Sequence, residues 1–273
     1  MPLLTLLSWN MNQQPANWDT VLASGADAAL LQEAKPPPPQ LKNRTAADFE
    51  NDWLMQEISW CTAVVGLSNR IKFTPVMTQP LGSLIPESLK VSRPGTIAAA
   101  TIHILETGED ITIVSLYSTW ETPLQGSWIY ADASAHRLIS DLSGLIGTQK
   151  KHKIIAAVDL NILYGYGECG SSYWKRRYDT VFDRFSTLGL RFIGPQAPEG
   201  GIQAAPWPSE LPIKSRNVPT FRTNKNRPET ASRQLDFVFA SESIADRLSV
   251  RAANSVEEWG QSDHCRVFIH LDQ

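Results

Sequence analysis

Apolar runs of strand length repeatedly end on an acid or an amide, and that habit limits what this chain can fold into. The runs are LLTLLSW (3–9), DAALLQE (27–33), TAVVGL (62–67), IKFTPVM (71–77), TIAAATIHI (96–104), DITIVSLY (110–117), KIIAAVDL (153–160), QLDFVFA (234–240) and CRVFIHL (265–271). Their length and β-branched content suit strands better than helices. Helical spacing holds in two places. Ala135, Leu138, Ile139, Leu142, Leu145 and Ile146 follow Asp132 and are closed by Gly147. Trp174, Tyr178, Val181, Phe182, Phe185 and Leu188 are closed by Gly189. Strand pairs with no helix between them, 62–77 and 96–117, are expected to be hairpins, and strands flanking a helix to be crossovers. The pattern predicts an α/β (α+β) fold with two packed, mixed or largely antiparallel sheets and helices outside. A 273-residue chain that is 42% hydrophobic can bury such a core. No repeat or linker divides it, so a single domain over 1–273 is expected.

Charge and cysteine usage exclude several classes. Lys and Arg number 25 against 28 acids, a net −3, which rules out a uniformly basic nucleic-acid coat but leaves local basic patches open. The start MPLLTLLSWNMN carries no charged n-region or cleavage site, so no signal peptide is expected. No run approaches the roughly 18 apolar residues of a membrane span. Cys61, Cys169 and Cys265 are scattered and lack CxxC spacing, which suits a reducing, cytoplasmic setting and argues against structural zinc.

The residues closing the strands carry the chemistry. Asn10 follows the first run, Glu33 closes the second, and Asp159 and Asn161 end KIIAAVDLN. Asp236 lies inside QLDFVFA, and Asp263-His264 precede the last run. Singly, each is an ordinary turn or cap residue. Together, they put carboxylates at the ends of apolar strands, where acids are rarely buried unless paired or metal-bound. Oxygen ligands with few histidines suit a hard cation such as Mg²⁺.

The segments SWNMN, LLQEAK, VSLYSTW, AAVDLN, RQLDFVFAS and SDH resemble, in order, the motifs of the endonuclease/exonuclease/phosphatase superfamily from residue 6 to 271. The resemblance implies a four-layer sandwich with two central sheets and a Mg²⁺-dependent (or Mn²⁺-dependent) phosphodiester hydrolase. It implies Glu33 as the main metal carboxylate, Asn10 beside it and Asp263 near the metal. Asp159 would activate water, with Asn161 holding Asp159 or the phosphate. His264 would contact the phosphate, fixed by Asp236, and Tyr117 would approach the leaving-group side. Val158 and Ala157 stand where the family usually has glycine, Asn12 where abasic endonucleases carry Asp, and RPETASRQLDF replaces the run those enzymes place before this strand. These departures argue against abasic-site repair.

Loops bear on substrate. The stretch 214–233 holds Lys214, Arg216, Arg222, Lys225, Arg227 and Arg233 against the single acid Glu229, and it flanks Asp236. Lys175, Arg176 and Arg177 lie among aromatic rings, where they read as a solvated helix face or as contacts to a strand. Basic groups beside stacking rings suit nucleic acid, so Arg222, Lys225, Arg227, Arg233, Lys175 and Arg176 are the candidate substrate contacts. Trp120, Trp128 and Tyr130 form either another wall of the site or packing for their loop. The leading expectation is a nuclease acting on DNA or RNA. The alternatives are a phosphatase or phosphodiesterase for inositol phosphates or sphingomyelin, and an inert binding module.

Overall fold

A computed structural model describes residues 2–47, 59–122, 126, 128–147, 149, 151–223 and 226–273. In chain order it contains β1 (Leu4–Asn10), α1 (Asn17–Leu22), β2 (Ala28–Ala34), β3 (Thr45–Ala46), β4 (Cys61–Gly66) and β5 (Ile71–Val76). Next come β6 (Thr78–Pro80), β7 (Leu89–Val91), β8 (Ile97–Ile104), β9 (Glu109–Tyr117), α2 (Ala131–Ile146), β10 (Ile154–Asp159) and α3 (Ser172–Thr187). The chain ends with β11 (Leu190–Gly194), β12 (Asp236–Ser241), β13 (Leu248–Ala253) and β14 (Arg266–Leu271). Two six-stranded mixed sheets result, ordered β13-β14-β1-β2-β4-β3 and β11-β12-β10-β9-β8-β5, with β6 and β7 paired separately.

Successive strand residues point to opposite faces, and here both faces of each sheet are covered. Leu6, Leu30 and Ala157 enter the core between the sheets with Val64, Ile113 and Val238. Their neighbours Leu7 and Leu31 pack outward on Trp18 and Val21 of α1. Val158, Phe237 and Phe239 pack outward on Leu138, Leu142, Val181 and Phe185 of α2 and α3. The order helix, sheet, sheet, helices gives the four layers. Double-sided burial also explains why the strands read as continuous apolar runs rather than alternating ones.

Phe185 is fully buried and stacks on Phe239 with ring centroids 3.9 Å apart. Phe185→Ala is therefore expected to cost about 3–5 kcal/mol of stability, read as a lowered denaturation midpoint at unchanged slope. A loss below about 1 kcal/mol would show that the helix layer contributes little to the core.

The segment 96–117 is the expected hairpin, β8 against β9. The segment 62–77 is not: β4 pairs with β2 and β3, and β5 pairs with β8 in the other sheet. The cause lies in the connection. Buried Asp27 accepts from Ser68 Oγ at 2.6 Å and from Arg70 Nη1 at 3.1 Å, and its backbone carbonyl accepts from the Leu67 and Ser68 amides. These bonds hold the link across the gap between sheets, where a tight turn would have folded β5 back on β4. Both helices lie where their spacing places them, and no helix among the described residues is long and apolar enough to cross a membrane.

Candidate active site

Strand direction assembles the site. β1 runs parallel to β2, and β9 parallel to β10, so Asn10, Glu33, Tyr117 and Asp159 all arrive at C-terminal strand ends. β12 is antiparallel to β10 and β14 to β1, so these strands begin at that edge and bring Asp236 and the segment before β14. Asp159 lies in register with Tyr117 on one side and Asp236 on the other.

Local backbone then aims the side chains. The pairing of β2 with β4 shifts register between Leu31 and Ala34, and Glu33 adopts φ 46°. Such a bulge re-aims a side chain. Gln32 turns inward to Ser115 Oγ at 2.9 Å while Glu33 lines the cavity. Asn12, Gln13 and Asn161 also have positive φ, at 45°, 55° and 52°. Left-handed backbone costs about 1–3 kcal/mol per non-glycine residue and gathers at functional sites.

Asn10 joins the two sheets chemically, because its Nδ2 donates to Glu33 Oε1 at 3.1 Å and to Asp159 Oδ2 at 2.9 Å. Gln13 Nε2 donates to the other Glu33 oxygen at 3.1 Å. His264 is buried between two carboxylates, with Nδ1 2.8 Å from Asp236 Oδ2 and Nε2 3.6 Å from Asp159 Oδ2. The Asn161 amide donates to Asp159 Oδ1 at 3.1 Å, and its side chain is tied to the Ser118 carbonyl at 2.9 Å.

Burial and charge set the protonation states. Burial pulls the His264 pKa down, but the Asp236 and Asp159 carboxylates outweigh it and raise it to about 10. The ring is thus an imidazolium at neutral pH. Burial drives Asp159 up to about 7, with the His264 charge opposing and the Asp236 and Glu33 charges adding. Asp263 is also raised, by burial and by the neighbouring Glu33 charge. Burial and the Glu33 and Asp159 carboxylates keep Tyr117 a neutral phenol, hydrogen-bonded to Glu33 and Asn161.

A cavity of about 730 Å³ opens onto Glu33, Tyr117, Asp159, Asn161, Asp263 and His264. Among the basic residues singled out in the sequence, Arg233 lines it, paired with Glu168 at 3.0 Å. Arg222 is directed at the Asn226 and Ser262 carbonyls, at 2.5 and 3.3 Å, and its amide donates to the Asp263 carbonyl. Lys175 pairs with Asp179 at 2.6 Å and borders a separate groove, whereas Arg176 and Arg227 are exposed. Lys225 lies outside the described residues.

Sequence reasoning missed the residues that hold these groups in place. Thr220 Oγ1 accepts from the Leu235 and Asp236 amides at 3.0 and 3.1 Å, and its carbonyl accepts from the Cys265 amide. Thr220 thereby ties the start of β12 to the start of β14, which sets Asp236 against His264. Ser262 Oγ donates to the Asn10 carbonyl at 2.7 Å and accepts from the His264 amide at 3.1 Å. Ser262 lies in the SDH segment, but nothing local marks a serine as a tie between strands.

Neither a protein-family model nor a curated protein sequence matches the chain. Solved structures do match. The catalytic domain of Xenopus laevis APE2 superposes with a TM-score of 0.66 at 12% identity, over 98% of this chain and 92% of that one. The endonuclease domain of TRAS1, a telomere-specific non-LTR retrotransposon, gives 0.60 at 17% identity over 99% of both chains. A mannosyl-6-phosphatase from Bacteroides thetaiotaomicron gives 0.57 at 16% identity over 99% of this chain and 100% of that one. The chain shares the fold of these structures, with the two central sheets that its motifs implied. The matches include an endonuclease domain and a sugar phosphatase, so the fold leaves the substrate to be argued from the site.

The donor set fits a divalent cation. Glu33, Asp159 and Asp263 face one cavity, and among the described residues the cation within ion-pairing distance of this group is His264. Carboxylates gathered without matching positive charge cost free energy that a divalent ion would offset. Asp159, Asp236 and His264 are themselves close enough to share an ion, with donor atoms within 4.8 Å. Both nitrogens of that ring face carboxylates, however, which leaves Glu33, Asn10 and Asp263 as residues that could hold the ion instead.

Proposed function

We propose that the chain is a divalent-metal-dependent phosphodiester hydrolase, and specifically a nuclease acting on DNA or RNA. The observation that carries this reading is the juxtaposition, at one cavity, of a carboxylate group rich in negative charge with an imidazolium held between Asp236 and Asp159. Glu33, Asn10 and Asp263 would hold Mg²⁺, or Mn²⁺ in its place. When bound, the ion supplies charge neutralisation and Lewis-acid polarisation of a phosphoryl oxygen.

The chain's own groups perform the rest. Asp159 accepts the proton of the attacking water through a carboxylate that Asn10 and the Asn161 amide fix in place. His264 donates from Nε2 to a non-bridging phosphate oxygen as negative charge grows there, and Asp236 keeps its Nδ1 protonated. The Tyr117 phenol, kept neutral, donates on the leaving-group side. Arg233 at the cavity, with the other basic residues of the 214–233 stretch and with Lys175 and Arg176 of α3, would attract and position the backbone of a strand.

Purified protein incubated with Mg²⁺ and plasmid, single-stranded DNA, RNA, inositol phosphates and sphingomyelin tests the reading. Cleavage of a nucleic acid, weakening steeply as salt rises, is the expected result. Hydrolysis confined to the inositol phosphates or sphingomyelin would replace it with the small-substrate alternative.

A further inference from the structure

The cavity continues beyond the carboxylates into a wall of rings. Trp120, Trp128 and Ile129 enter it from the segment after β9, and Trp174 and Tyr178 enter it from α3. Trp128 lies near-parallel to Trp174, with centroids 5.8 Å apart and planes 29° apart, and Trp174 lies near-parallel to Tyr178 at 6.0 Å and 30°. Trp174 and Tyr178 are buried, whereas Trp128 and Trp120 remain 60% and 62% exposed. The outer rings of the wall thus leave large apolar surface facing a recess.

The wall is braced. The Arg177 guanidinium lies 5.5 Å from the Tyr130 and Trp174 ring centroids, and its Nε donates to buried Asp132 at 2.8 Å. Gly167 lets the chain pass so close to the start of α3 that any side chain there would strike the Ser171 carbonyl and the Lys175 amide. That close passage holds Glu168 and Cys169 at the cavity, where Glu168 forms a two-pronged pair with Arg233 at 3.0 and 3.4 Å. The recess is therefore flat and aromatic, has one charged rim, and is continuous with the catalytic carboxylates.

We propose that this recess is a subsite for the nucleobase of the nucleotide adjoining the scissile phosphate, stacked on Trp128 with Trp120 beside it. The inference rests on the phosphodiesterase reading of the same cavity and narrows its substrate to one that carries a planar base. Near-parallel rings offer a face to another planar ring, and every base has such a face. An acyl chain gains nothing from ring alignment, and rings meant for a lipid surface would crown a protrusion, whereas these line a recess. Because the wall is held in place before any ligand arrives, little ordering cost falls on binding.

The test compares a dinucleotide with the same phosphodiester carrying tetrahydrofuran in place of both base-bearing sugars, in the slowly turning-over Asp159→Asn protein. Affinity is read by calorimetry and stacking by quenching of indole emission. The dinucleotide is expected to bind about tenfold or more tightly than its base-less counterpart and to quench emission. Trp128→Ala should bring that ratio toward one and remove most of the quenching, and Trp128→Phe should retain much of the ratio. Trp128 is mostly exposed, so neither variant threatens the fold. Equal affinity for the two ligands, or a ratio unchanged in Trp128→Ala, would overturn the subsite. Tighter binding of a glycerophosphodiester bearing an acyl chain would overturn it in favour of a lipid. A protein that hydrolyses no phosphodiester would sink the functional reading, while the binding ratio would still report on the recess.

Discussion

Asp159→Asn is expected to lower kcat by about 10²–10⁴, the usual contribution of a positioned general base, while the protein stays folded. The side chain is buried and isosteric, and its one remaining oxygen keeps either the Asn161 amide, now on Oδ1, or Asn10, now on Oδ2. The pH profile adds a second reading. Burial and the surrounding carboxylates push Asp159 up to about 7 in the metal-free protein. A base works in its ionised form, so the rate should rise with pH and level off at or below about 7, because a bound cation can only lower that value. Asp159→Asn should abolish this ascending limb. Single-turnover rates across pH 4–9, with saturating enzyme in excess over substrate, check both expectations, and an intact limb in the variant would remove Asp159 from the role of base.

His264 and Asp236 should fail as a unit. The ring sits 2.8 Å from Asp236 in a buried setting, so His264→Ala should cost turnover about as much as the His264→Ala, Asp236→Asn double variant. Simple additivity across the cycle would break the pairing. The same contact makes a titration prediction. The folded-state pKa of His264, about 10, lies above its ordinary 6.5. The ion pairing therefore adds stability in full below about 6.5 and loses it as pH rises through about 10. Asp236→Asn should bring the imidazole pKa down, so the variant's ring loses its charge closer to neutrality. NMR of the imidazole resonances reads this directly, and an unmoved pKa in the variant would contradict it.

Much of the architecture was legible because the apolar runs are long enough to be strands and both long helices carry an unbroken apolar stripe. β11 and β13 escaped for the opposite reason. LRFIG follows directly on α3, and in LSVRAA the exposed Ser249 and Arg251 alternate with apolar residues, so no continuous apolar run marks the strand. The misread hairpin at 62–77 had no local cause at all, because the Asp27 side chain that redirects the chain lies some forty residues away. The site shows the same division. Asn10, Glu33, Asp159, Asp236 and His264 stood out because acids, amides and an imidazole at the ends of apolar strands are unusual. The bulge that turns Glu33 into the cavity and the hydroxyls of Thr220 and Ser262 did not, because they matter only once two distant strands meet. The basic loops were the least legible part. Charge in a sequence does not say whether a guanidinium lines the cavity, as Arg233 does beside Glu168, or is held on backbone carbonyls, as Arg222 is.

On the proposed function, a divalent ion held at Glu33 enables phosphodiester hydrolysis in this cavity. Initial rates of nucleic-acid cleavage, measured across a Mg²⁺ titration and in excess EDTA for the unmodified protein and for Glu33→Gln, test it most directly. No cleavage in EDTA and full recovery on adding Mg²⁺ are expected. Glu33→Gln should need at least the roughly 10–100-fold more Mg²⁺ that loss of an outer-shell partner costs, or lose the activity outright. An undiminished rate in EDTA, or a Glu33→Gln protein with the same Mg²⁺ dependence as the original, would contradict it.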